Sequence, residues 1–404
     1  MSPDFYVGNR SSLAGTLKAD VTLLSAHDAM QLKADQSIFR QDANFLYLTG
    51  IDEAGWQLVL GRNPYRETLI APERDEMQVL FEGGLTFAEA SATSGVNNVV
   101  SAADGQKLIE SLSAQHAVCA VVGRDPHEKY NHSTANPSRA RLERLAKKLF
   151  KETLDARPAL NRLRAIKQPE EVVAMRRAIE VSVEGFMFIE KLLREEKVNH
   201  EYEIEAELSR TFRATGANGH AYDPIVAFNK NACVLHYSKN ESSLAAGGLV
   251  LIDAGAAFQG YAADITRTYA VGEVSSRQKA VHAAVERAHV AIIELIKPGL
   301  KPADYQVAVD KIMKEALASL GLLKSEADYR KYFPHAVSHG IGIDVHESLG
   351  GYGEFLPGMT LTVEPGIYIP EEGIGVRIED DILVTKTGNE VLSAQLPTSL
   401  CYNS

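Results

Sequence analysis

Short apolar runs separated by glycine, proline and asparagine occupy the first third of the chain. FLYLTGI, WQLVLG, ETLIAP and MQVLFEGG read as strands, and HAVCAVVG as another. SAADGQKLIESL and NPSRARLERLAKKLF look helical, so strand and helix signals alternate as in a sheet covered by helices. The segment DARPALNRLRAIKQPEE, near 155–171, is punctuated by Pro158 and Pro169 and reads as a linker.

Beyond the linker the apolar period lengthens. Pro169 suits the first position of a helix, and Glu170 and Glu171 in its first turn suit the helix dipole. That helix, EEVVAMRRAIEVSVEGFMFIEKLLREE, is followed by a second, HEYEIEAELSRTFRATG, which ends near Gly216. PIVAFN, VLHYS, LVLIDAGA and DITRTYAV then read as strands. Ser275 with Gln278 three residues on is a capping-box pattern, opening a third helix that runs to Lys297 and closes at Pro298-Gly299. A fourth helix spans about 302–320 and stops at Gly321, after which strand signals dominate. Helix, helix, strands thus occurs twice, a coarse duplication without a repeated sequence. The expected fold class is α/β (α+β), with a mixed α/β domain over 1–160 and a helix-helix-strands domain over 161–404.

Composition narrows the class of protein. A length of 404 residues with 45% hydrophobic is enough for two real cores. A net charge of −11 argues against a nucleic-acid surface. No apolar run approaches the roughly 18 residues of a membrane span. The opening MSPDFYVGNRSS has no basic stretch leading into an apolar one, as a secretory signal would. Cys119, Cys233 and Cys401 are odd in number, far apart and without CxxC spacing, so they read as reduced thiols in a cytoplasmic protein. Cys119 falls within HAVCAVVG and reads as a buried core thiol.

Four carboxylates and one imidazole interrupt apolar runs in the second half. They are Asp253 in LVLIDAGA, Asp264 in YAADITRTY, His339 in HAVSHGIGIDVH, Glu364 in LTVEPGIYI and Glu379 in VRIEDDILV. A buried carboxylate must be paired, protonated or bound to metal, and no matching set of Lys and Arg accompanies these. Each has a plainer reading when taken alone. On a straight strand Arg377, Glu379 and Asp381 share one face, and Val376, Ile378, Asp380 and Ile382 the other, so Arg377 and Glu379 read as a surface ion pair. Glu364, directly before Pro365, reads as an edge-strand residue. Asp253 and Asp264 flank AGAAFQGYAA, a hairpin signal that brings two strands together. His335 and His339 share strand parity while His346 has the other, so the three converge only if Gly340 and Gly342 break the strand. His236 in VLHYS reads alone as a core or turn histidine.

A site for two divalent cations accounts for all these residues together, because about four positive charges offset four carboxylates. Oxygen-rich ligation with one imidazole suits Mn²⁺ first, then Co²⁺, Fe²⁺ or Zn²⁺. Two such ions about 3.5–4 Å apart can bridge a water, lower its pKa and polarise a carbonyl.

In this order the motifs resemble those of the pita-bread-fold metallopeptidases, a group that includes methionine aminopeptidase, aminopeptidase P and prolidase. The resemblance covers essentially the whole chain and implies that Asp253, Asp264, His339, Glu364 and Glu379 hold the two metals. It implies further that Glu364, in VEPGIY, shuttles the proton of the metal-bridging hydroxide's parent water. His346 in DVHE matches a catalytic histidine that contacts the peptide and the developing oxyanion, and His236 in LHYS a second one facing the substrate. His335 matches a substrate-pocket group, while Arg377, in a catalytic role, and Tyr222, in a substrate-binding one, support the site by hydrogen bonds. FRQDANFLYLTGIDEAGWQLVL looks like the first domain of aminopeptidase P, which methionine aminopeptidases lack. Creatinases share the two-domain plan without the metal set.

The implied activity is removal of an N-terminal residue that precedes proline, with metal-bridged hydroxide attacking the scissile carbonyl. Prolidase, which is confined to Xaa-Pro dipeptides, is the alternative; a non-catalytic peptide-binding module would have lost metal ligands. The family also implies a homodimer or homotetramer. Three departures concern the pocket: Ala336-Val337 in place of Gly-Leu or Gly-Thr, Gly340 where an aromatic residue is common, and a spacing of 15 between Glu364 and Glu379.

Overall fold

The computed structural model describes residues 1–32, 35–36, 39–62, 65–122 and 135–400, which leaves Cys401 outside. The chain divides into two units, Met1–Leu163 and Arg164–Ser404.

The first unit is built on a six-stranded sheet. Its strand order is Val99–Val100, Tyr65–Ile70, Gln57–Arg62, Val21–Ser25, Val118–Val121 and Glu152–Asp155. Gln57–Arg62 pairs antiparallel with both Val21–Ser25 (Val21 opposite Gly61) and Tyr65–Ile70, whereas Val118–Val121 lies parallel to both its neighbours. Helices Ala102–Gln115 and Pro137–Leu149 cover it, packing Ile109, Leu142 and Ala146 on Val21, Leu23, Val59 and Cys119. Burial pushes the Cys119 thiol up to about 12, which makes it an inert core group.

Two runs read as strands are helices. FLYLTGI lies in the helix Ala43–Thr49, because the Asp42 side chain caps Asn44 N and Phe45 N and Gly50 ends the helix at a φ of 68°. The run is buried on nearly every side, so it carries no helical stripe to read. MQVLFEGG lies in Glu76–Glu82, nucleated by a reciprocal capping box between Asp75 and Gln78. The helices Pro3–Thr16 and Phe87–Ser94 were not read from the sequence, although Ser2-Pro3 and the Thr86–Glu89 capping box mark their starts.

The second unit is the duplicated arrangement. Helices Pro169–Arg194 and Glu201–Ala214 precede an antiparallel sheet of Ile225–Phe228, Gly248–Ala254 and Ile265–Val271. Phe186, Ile204, Leu208 and Phe212 of these helices share a core with Val250, Ile252 and Ile265. Helices Ser276–Leu295 and Pro302–Ser319 precede Thr360–Val363, Gly366–Ile369, Ile374–Arg377 and Asp380–Val384. Here Val285, Ile292, Val309 and Met313 pack with Leu361, Val363, Ile378 and Ile382. The Ser275–Gln278 capping box is present in both directions. Its helix ends at Leu295 rather than Lys297, since the residue before Pro298 is driven out of the helical region.

Two other expected strands are irregular. VLHYS folds into turns after the 3₁₀ segment Asn229–Cys233. The buried Glu201 carboxylate holds it there, accepting from Phe228 N, Asn231 Nδ2, the Tyr237 hydroxyl and Ser242 N. HAVSHGIGIDVHE forms no strand either, and a short helix, Glu326–Tyr332, precedes it. Among the described residues, no helix is long and apolar enough to cross a membrane.

The hairpin between Gly248–Ala254 and Ile265–Val271 is interrupted at Gly255, where an added Cβ would lie 1.7 Å from the Ala263 carbonyl oxygen, and it turns at Gln259–Gly260. Gly255→Ala should therefore destabilise the protein by about 1–3 kcal/mol, read as a lower urea midpoint at unchanged slope. An unchanged midpoint would show that the hairpin tolerates the separation.

Candidate metal centre

The hairpin positions the first two carboxylates. Asp253 sits on a central strand opposite Thr266, and Asp264 directly precedes the return strand. The Tyr222 hydroxyl lies 2.6 Å from Oδ1 of both, so the two converge on one point. Backbone pairing between Thr266 and Glu379 joins this hairpin to the second repeat. The Thr266 hydroxyl donates to Glu379 Oε2 at 2.7 Å.

VRIEDDILV is not one straight strand. It breaks after Arg377, and Asp380–Val384 continues in a different sheet. Nor are Arg377 and Glu379 a surface pair, because both are buried. Arg377 donates from Nη2 to Asp253 Oδ2 at 2.5 Å, from Nε to Thr266 Oγ1 at 3.2 Å and from Nη1 to the Tyr368 hydroxyl at 2.9 Å. Asp381 does turn toward the cluster, accepting Asp264 N at 3.0 Å. Asp380 turns away, to Arg267, His289 and Ser393.

Glu364 follows the strand Thr360–Val363, and its Oε1 lies 3.4 Å from His339 Nε2. The same nitrogen lies 3.6 Å from Asp264 Oδ2. His339 Nδ1 is 3.0 Å from the Gly340 carbonyl, which can only accept, so Nδ1 carries the proton and Nε2 presents a lone pair. Burial and then the neighbouring His346 push this imidazole down to about 4, which keeps it neutral. Asp264, His339 and Glu379 each offer a ligand atom, all within 4.8 Å of one another.

Gly340 and Gly342 break the chain as expected, and Gly340 bridges to Glu347. A Cβ at Gly340 would lie 2.7 Å from the Glu347 carbonyl oxygen, which explains the missing side chain. The turn brings the exposed His346 back, its ring centroid 4.4 Å from that of His339 in a T-shaped contact. His335 Nε2 lies 2.9 Å from the Tyr368 hydroxyl and its Nδ1 3.5 Å from Glu364 Oε2. Burial, then Arg377, pushes His335 down to about 4. His236 stands exposed in its turn, close enough to His335 to add to that downward push.

The electrostatics of this cluster are those of a cation site. Burial first, then neighbouring carboxylates, pushes Asp264, Glu364 and Glu379 well above the usual range. A neutral imidazole aims a lone pair at two carboxylates, an arrangement that is repulsive unless a proton or a metal cation lies between them. The donor set therefore fits divalent metal, and the five residues read from the sequence as ligands are the ones gathered here.

Several supporting residues escaped the sequence. Thr266, Tyr368 and Asp381 bond the cluster directly. Arg267, fully buried, donates to the carbonyls of Thr266, Glu379, Leu396 and Pro397 and to Asp380. Burial alone would raise Asp380, but Arg267 and His289 outweigh it and bring the carboxyl to about 2. An arginine in the middle of the apolar run DITRTYAV was the available clue.

Comparison with known proteins agrees with this geometry. Residues 173–386 match the model of metallopeptidase family M24, and residues 6–121 that of the aminopeptidase P N-terminal domain. The chain is 34% identical to the Xaa-Pro aminopeptidase of Haemophilus influenzae over 90% of its length and 87% of the relative's. It is 30% identical to the mitochondrial intermediate cleaving peptidase 55 of Arabidopsis thaliana over 98% and 81%. Proline aminopeptidase P II from Yersinia pestis superposes with a TM-score of 0.85 at 32% identity, over 99% of this chain and 98% of that one. Fold and donor set together define a pita-bread metallohydrolase. The chain belongs to metallopeptidase family M24, in its aminopeptidase P group.

Mn²⁺ added to chelator-stripped protein should raise its unfolding temperature, with about 2.7 kcal/mol of stabilisation at a hundredfold excess over Kd. Asp264→Ala should lose most of that rise. Equal rises in both proteins would put the bound ion elsewhere.

Proposed function

We propose that this hydrolase is a Xaa-Pro aminopeptidase that binds two divalent ions through Asp253, Asp264, His339, Glu364 and Glu379. The observation that carries the reading is the neutral His339 Nε2 facing Asp264 and Glu364 inside a buried carboxylate cluster. The substrate class is taken from the relatives named Xaa-Pro aminopeptidase.

Bound divalent ions would supply an acidified water and a polarised scissile carbonyl, with Mn²⁺ best suited to this oxygen-rich set and Co²⁺, Fe²⁺ or Zn²⁺ next. Glu364 takes the proton of the attacking water and later passes it to the proline nitrogen. His346 and His236, exposed beside the buried cluster, hold the peptide and stabilise charge on the carbonyl oxygen. His335 lines the pocket, linked through the Tyr368 hydroxyl to Arg377. Arg377 and Tyr222 fix the orientation of Asp253. Selection for proline follows from a pocket shaped to the ring and to an amide without N–H. An N-terminal domain ahead of the catalytic one, a homodimer or homotetramer and a cytoplasmic setting complete the proposal. The alternative is a prolidase, with the same chemistry confined to Xaa-Pro dipeptides.

One experiment separates these readings: hydrolysis of Ala-Pro, Ala-Pro-Ala and Ala-Ala-Ala by Mn²⁺-loaded enzyme. Release of alanine from Ala-Pro-Ala alone or together with Ala-Pro is expected. Glu364→Gln, with its metal retained, should fall by about 10²–10⁴-fold, the usual worth of a general base. Turnover of Ala-Pro only would make the protein a prolidase, and equal turnover of Ala-Ala-Ala would remove the selection for proline. No turnover of any of the three would overturn the proposal.

A further inference from the structure

His346 sits on the irregular turn Gly340–Glu347, and what holds it is not obvious from the turn itself. The backbone supplies the Gly340–Glu347 bridge and one bond from Gly342 N to the Asp344 carbonyl at 3.1 Å. The next side chain along is firmly anchored. Glu347 Oε1 accepts from Arg164 Nε at 3.0 Å and from its Nη2 at 2.5 Å, and Oε2 accepts from Lys167 Nζ at 2.5 Å. These three side chains are 5%, 4% and 1% exposed, so the grip is formed out of water. Arg164 Nη2 also reaches Asp344 Oδ2 at 2.6 Å, which clamps the turn at two points. Lys167 Nζ donates back to the Arg164 carbonyl at 2.6 Å and fixes the spacing of the two cations.

We propose that Glu347, clamped by Arg164 and Lys167, is the positioning residue that holds His346 over the metal cluster. The inference rests on the role of His346 given above. Glu347 directly follows His346 in the chain, so anchoring its side chain limits where the backbone can carry that ring. The exposures agree: His346 is exposed while the Glu347 carboxylate is buried. A second link makes the clamp specific to the site. Ala262 N donates to the Gly342 carbonyl at 2.8 Å, tying the turn to the hairpin two residues before Asp264. Such a network is a poor device for stability alone. Two buried cations and the buried Glu347 carboxylate lose much hydration, and apolar side chains of equal volume often serve as well. What a fork of directed, charge-assisted bonds does add is a fixed orientation.

The test uses the full-length Mn²⁺-loaded enzyme with Ala-Pro-Ala. Glu347→Gln should retain its metal and its KM but lose about 10²-fold in kcat, the effect expected of a displacement near 1 Å. Backbone amide exchange should accelerate over the turn 338–348 and stay unchanged elsewhere in 164–404. In a His346→Ala background the same substitution should cause little further loss, because its effect acts through that ring. If E347Q fails to fold, R164K keeps the charge, loses the fork and should give the same pattern. Faster exchange throughout 164–404 would make the clamp a fold element only. An equal loss of kcat in both backgrounds, or a local loosening without loss of kcat, would also overturn the proposal. A fully active H346A would remove the role of His346 itself, a failure distinct from that of the clamp.

Discussion

Mutual repulsion among carboxylates in an apolar setting governs the catalytic unit. Asp253, Asp264, Glu364 and Glu379 are drawn together beside strands whose remaining residues are buried and mostly apolar. Arg377 satisfies one oxygen of Asp253, and Tyr222 and Thr266 contribute neutral hydrogen bonds. This leaves an excess of negative charge that burial makes costly, and protons or metal must neutralise it. Much of the surrounding structure exists to hold these groups in place against that repulsion.

Each repeat of the duplicated fold supplies part of the cluster. The first provides Asp253 and Asp264 on a hairpin, a rigid way to fix two side chains eleven positions apart. The second provides His339, Glu364 and Glu379 from a turn, a strand end and a strand break. The join is the backbone bridge between Thr266 and Glu379. Arg267 lies behind that join and binds carbonyls on both sides of it as well as the carbonyls of Leu396 and Pro397. The chain's last described segment is thereby tied to the back of the candidate metal site.

The five candidate ligands were legible because each is a charge inside an apolar run, and the run itself shows that the charge is buried. Helix starts at Pro169 and Ser275 were legible for a local reason, since their caps lie within four residues. FLYLTGI was misread because an all-round buried helix of seven residues has no polar face. The turn carrying His346 was foreseen only as far as its two glycines. Its course depends on Arg164 and Lys167, about 180 positions away in sequence. Thr266 meets Glu379 across 113 positions, and Arg377 meets Asp253 across 124. No periodicity or spacing encodes such partners, so the supporting residues emerge only with the fold.

The central claim is that this cluster is a two-ion site. Anomalous scattering from crystals of the protein soaked in Mn²⁺ tests it directly. The account predicts two peaks about 3.5–4 Å apart, enclosed by Asp253, Asp264, His339, Glu364 and Glu379. A single peak would contradict the two-ion chemistry, and the absence of any peak within these five residues would contradict the account as a whole.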